Sequence, residues 1–61
     1  MLKIHLSNDA GKILKVLAEI EIEKLNFLNV GDYIVCDDTS YEIVQKCYDI
    51  DNKEFYVEVR A

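Results

Sequence analysis

Sixty-one residues suffice for one small domain, and six Asp and six Glu against six Lys and one Arg leave it a formal net charge of −5. That balance disfavours the phosphate backbone of nucleic acids, whose binding draws on Lys and Arg displacing counterions. No stretch approaches the ~20 apolar residues that a membrane-spanning helix needs. Cys36 and Cys47 are the only cysteines and no apolar leader precedes them, so the expectation is free thiols in a reducing cytoplasm, with a single disulfide as the alternative.

Leu2, Ile4 and Leu6 alternate with Lys3 and His5, the pattern of a short strand. Gly11 closes the loop Asp9-Ala10-Gly11 at a position where a three-residue hairpin needs a left-handed residue. From Lys12 to Glu23 the chain alternates again: Leu14, Val16, Ala18, Ile20 and Ile22 share one parity, and Lys15, Glu19, Glu21 and Glu23 the other. A half-buried strand sends those glutamates to water and the five apolar side chains inward. The loop then sets a register in which Leu6 faces Leu14, Ile4 faces Val16 and Leu2 faces Ala18. Ile13 and Leu17 stand on the outward parity with the acids, where another chain can cover them.

Leu25 and Leu28 break the alternation at helical spacing, which predicts a connector with one helical turn over residues 24–29. Gly31-Asp32 precedes a third strand at Tyr33-Ile34-Val35-Cys36, and Asp37-Asp38-Thr39-Ser40 supplies a polar turn. A fourth strand runs from Tyr41 to about Asp49, and a fifth covers Phe55 to Val59 after the turn at Asp51 and Asn52. A hairpin centred on that turn puts Val44, Lys46 and Tyr48 with Phe55, Val57 and Val59 on a core face. Ile43, Gln45 and Cys47 then join Tyr56, Glu58 and Arg60 on the opposite face, to which the preceding turn adds Tyr41 and Ile34. Apolar residues on both faces mean a sheet bent round a barrel core or covered by another molecule. The expected fold is all-β: a single domain over residues 1–61, a small five-stranded antiparallel SH3-like barrel or curled sheet.

Chemistry-bearing patterns are scarce. His5 is the only histidine, outward on the first strand, and no nucleophile and orienting group accompany it as a base mechanism requires. Cys36 and Cys47 are eleven residues apart, unlike paired zinc ligands. The run from Asp49 to Glu54 resembles the start of a calcium loop but has Glu54 at the sixth position, where glycine is needed, and Arg60 at the twelfth, where glutamate is. Two glycines cannot build a phosphate-cradling loop. No catalytic residue, metal site or cofactor is expected. The residues expected to meet another chain are Ile13, Leu17, Tyr41, Ile43, Cys47 and Tyr56, with Glu58 and Arg60 at the rim.

Val30-Gly31-Asp32-Tyr33-Ile34-Val35, Tyr41-Glu42-Ile43-Val44, Tyr48-Asp49 and Phe55-Tyr56-Val57-Glu58-Val59 form a pattern that resembles very small five-stranded barrel proteins of bacteriophages and mobile elements. The resemblance spans residues 30–59 and shares no functional motif. It implies a small barrel from genomes whose short reading frames encode inhibitors of host defence. With the acidic composition, this gives the functional expectation: a non-enzymatic homodimer in the host cytoplasm that binds a larger host protein, as a phage-encoded antagonist of a bacterial defence protein. Sequestration of a nucleotide signal between subunits and a structural or virion role are the alternatives.

Overall fold

A computed structural model describes residues 2–61 of the chain. Five strands form one curled sheet: β1 (Leu2–Ser7), β2 (Ile13–Ile20), β3 (Tyr33–Cys36), β4 (Thr39–Asp49) and β5 (Glu54–Arg60), in the spatial order β2-β1-β5-β4-β3. The all-β class and the curled sheet match the sequence expectation. One ladder departs from it, because β1 and β5 run parallel and make the sheet mixed. Parallel neighbours need a long connection, and these two strands have the whole intervening chain between them.

The first hairpin closes as its turn chemistry dictates. Gly11 sits at φ 82°, and the Asn8 side-chain oxygen accepts from the backbone N–H of Ala10 and of Lys12, both at 3.0 Å. Ser7 faces Ile13, the register the loop sets. Two bulges then displace the ladder. Leu14 and Leu17 are skipped, so His5 faces Val16, Ile4 faces Ala18 and Leu2 faces Ile20. The expected pairs Leu6–Leu14, Ile4–Val16 and Leu2–Ala18 do not form, because each extra residue shifts the side-chain alternation that follows it. Leu17, expected to face outward, packs against the core, whereas Leu14 and Val16, expected inward, are exposed.

β4 and β5 follow the same logic. Their turn is tied by Asp49, whose carboxylate accepts from the Asn52 side chain at 2.8 Å and from its backbone N–H at 3.2 Å. Tyr48 faces Phe55, Cys47 faces Tyr56, Lys46 faces Val57 and Gln45 faces Glu58, as expected. Beyond Gln45 a bulge skips Val44 and sets Ile43 opposite Val59. Ile43 is therefore 1% exposed and Tyr41 packs against the core with it. Both had been expected on the outer face, and the bulge is the physical reason that they are not. Between β3 and β4, Asp37 and Asp38 both take positive φ, as a two-residue hairpin of matching twist requires.

The core is small: Leu2, Ile4, Ile43, Val57 and Val59, with Leu6, Leu17, Ala18, Ile20, Ile34 and Tyr41 packed round them. A short 3-10 helix, Ile22–Phe27, follows β2. The helical spacing of Leu25 and Leu28 has its purpose here, since both lie against the core. Ile22, expected to continue the inward face of the strand, begins this helix and is exposed instead. The accessible surface of 4312 Å² is near the roughly 4,100 Å² expected for a folded chain of this size. The many exposed apolar side chains thus reflect a thin core, not an unravelled chain.

Candidate functional site

The β1–β5 and β4–β5 ladders assemble a polar face on the side of the sheet away from the core. Each ladder puts facing residues on one side, so Lys3 and His5 of β1 stand beside Glu54, Tyr56 and Glu58 of β5, and Gln45 and Cys47 of β4 stand beyond. His5 lies flat against Tyr56, ring centroids 4.4 Å apart and planes 15° from parallel. Glu58, at the centre, is only 6% exposed. Its carboxylate accepts from the Gln45 side-chain amide at 3.4 Å and is 3.9 Å from Arg60 Nη2. Lys3 Nζ lies 3.2 Å from the Glu54 carboxylate.

Among the described residues, three polar atoms on this face are buried without a hydrogen-bond partner: His5 Nδ1, His5 Nε2 and Arg60 Nε. Such groups are uncommon in folded proteins because each forfeits its hydration. Burial, reinforced by the Lys3 charge, holds the His5 imidazole below its ordinary pKa of 6.5 despite Glu54 and Glu58 nearby. The neighbouring Cys47, chiefly through its hydrogen bond, pushes the Tyr56 hydroxyl above its ordinary pKa. No hydroxyl or thiol lies within hydrogen-bond distance of His5 among the described residues, and the Ser7 hydroxyl is turned to the Val59 carbonyl at 3.5 Å. The imidazole is therefore not aligned with a nucleophile. Among the described residues no three His, Cys, Asp or Glu side chains converge as metal ligands do, and no helix is long and apolar enough to cross a membrane.

A second surface lies at one end of the core side. Ile20, Leu2, Phe55 and Tyr48 form a row across four strands. Leu2 is fully buried, yet Phe55 is 40% and Tyr48 50% exposed. Their rings touch with centroids 4.5 Å apart, and Ile50 in the adjoining turn is exposed as well. At the other end of the row, Glu19, Ile20, Glu21 and Lys24 line an open depression of about 440 Å³.

Of the eight residues that the sequence singled out, Cys47, Tyr56, Glu58 and Arg60 come together on the polar face. Ile13 is exposed at the start of β2, and Leu17, Tyr41 and Ile43 belong to the core side. Sequence reasoning missed Lys3 and His5 as neighbours of Tyr56. Their outward parity was legible, but only the parallel β1–β5 ladder brings them to it. No protein-family model, curated protein or solved structure matches the chain.

Proposed function

We propose that this chain is a non-enzymatic protein-binding module that works as a homodimer. The observation that carries this is the open end of the core side, where Tyr48 and Phe55 present touching rings to water on the very face that elsewhere forms the core. A small domain with a thin core gains most from covering such a surface with a second subunit. β2 is bulged and β3 has four residues, features that discourage association through sheet edges, so the second copy meets this face. The opposite polar face then remains free for a larger protein, with Tyr56 and Arg60 the residue types that dominate binding energies.

An antagonist of a bacterial defence protein, carried by a phage or mobile element, is the finer form of this proposal. Its support is the resemblance over residues 30–59 and the net charge of −5. The test is capture from bacterial lysate with wild type beside Tyr56→Ala and Arg60→Ala. A stoichiometric partner retained by wild type and lost by both variants supports the proposal, and identical capture by all three refutes the polar face as the contact.

A further inference from the structure

His5 occupies a position that suits only its neutral form. Its ring is stacked on Tyr56, and both nitrogens are shut away from hydrogen-bonding partners. A neutral imidazole leaves one donor and one acceptor unpaired in that place, whereas an imidazolium would leave two donors and a charge. The surroundings do not relieve it there. On its own strand Lys3 adds like charge, and on β5 Glu54 is tied to Lys3 while Glu58 is held by Gln45 of β4 and by Arg60. Cys47 of β4 flanks Tyr56, and on the β2 side the facing residue is Val16, with Lys15 and Glu19 as the nearest charged positions.

We propose that His5 is a proton-operated latch over Tyr56. Neutral, the imidazole lies on the phenol ring and covers one of its faces. Protonated, it leaves the stack for water, and the Tyr56 ring is opened on the polar face. Burial supports the direction, since it holds His5 neutral until the pH falls below 6.5. The latch stands on the geometry of the free chain; only the use of the opened ring as a contact rests on the proposed binding role.

An NMR titration of the intact chain tests it without any partner, so its failure is distinct from failure of the binding proposal. The His5 ring protons should titrate with a midpoint below 6.5. The Tyr56 ring protons should move downfield with the same midpoint as the stacked ring departs, while the Val57 and Val59 methyl signals stay in place. In His5→Phe, the Tyr56 signals should no longer respond over that range. A His5 midpoint at or above 6.5, Tyr56 signals that ignore the His5 titration, or core methyls that move together with Tyr56 would each overturn the latch.

Discussion

Leu2 and Phe55 face each other across a parallel ladder, so the first strand of the chain is built in between the second and the last. β1 is thus the only strand that joins β2 to the rest of the sheet. The polar face inherits its make-up from this arrangement, because the same ladder sets Lys3 beside Tyr56 and His5 beside Glu58.

Leu2 is fully buried at that junction, and truncating a buried leucine costs about 2–5 kcal/mol. Total stability for a chain of this length is only about 3–9 kcal/mol. Leu2→Ala should therefore remove about a fifth or more of it. Urea unfolding followed by circular dichroism reads this directly, and a loss below about 1 kcal/mol would mean that β1 is not essential to the sheet.

Gly11 and Gly31 offer a cleaner backbone experiment. Both take positive φ, and a Cβ at either would meet nothing within 4 Å. Alanine at Gly11 should therefore cost only the left-handed backbone penalty, about 1 kcal/mol, and Gly11→Asn less, since asparagine tolerates that region. Equal unfolding midpoints for glycine, asparagine and alanine at position 11 would contradict the turn conformation.

Stability should fall in mild acid for a reason that can be assigned. The folded state holds the His5 pKa below the ordinary 6.5, so the unfolded chain takes up the proton first as pH drops, and stability declines below 6.5. Well above 6.5 the group is neutral in both states and contributes no slope. Asp49 acts lower: the Asn52 hydrogen bonds depress its pKa beneath 3.8, so its contribution is present above 3.8 and is lost as pH falls beneath that value. Urea midpoints measured against pH should begin to drop below 6.5 in wild type but not in His5→Phe. A wild-type profile flat down to the carboxylate range would exclude this role for His5.

Two turns were legible with their registers, the loop closed by Gly11 and the hairpin centred on Asp51 and Asn52, whereas the turn read over Asp37–Ser40 is tighter in the structure, with Asp37 and Asp38 alone between Cys36 and Thr39. Side-chain direction was legible only up to the nearest bulge. Skipping Leu17 turns that residue inward, and skipping Val44 does the same for Ile43. Each bulge lies in a run of neighbouring apolar residues, Ile13-Leu14, Val16-Leu17-Ala18 and Ile43-Val44, which suits either alternation, so hydrophobic pattern could not locate it. The pairing of β1 with β5 has no local signal at all, since no turn joins them. Hence half of the polar face was visible as outward parity on β4 and β5, and its other half, Lys3 and His5, was visible only as isolated outward residues.

The central claim is that a second copy covers the open end at Tyr48 and Phe55, and light scattering coupled to size exclusion tests it most directly. Wild type should elute at twice the chain mass at micromolar concentration, and Tyr48→Glu should elute as a folded monomer. A wild type that remains monomeric at high micromolar concentration, or a Tyr48→Glu chain that remains dimeric, would contradict it.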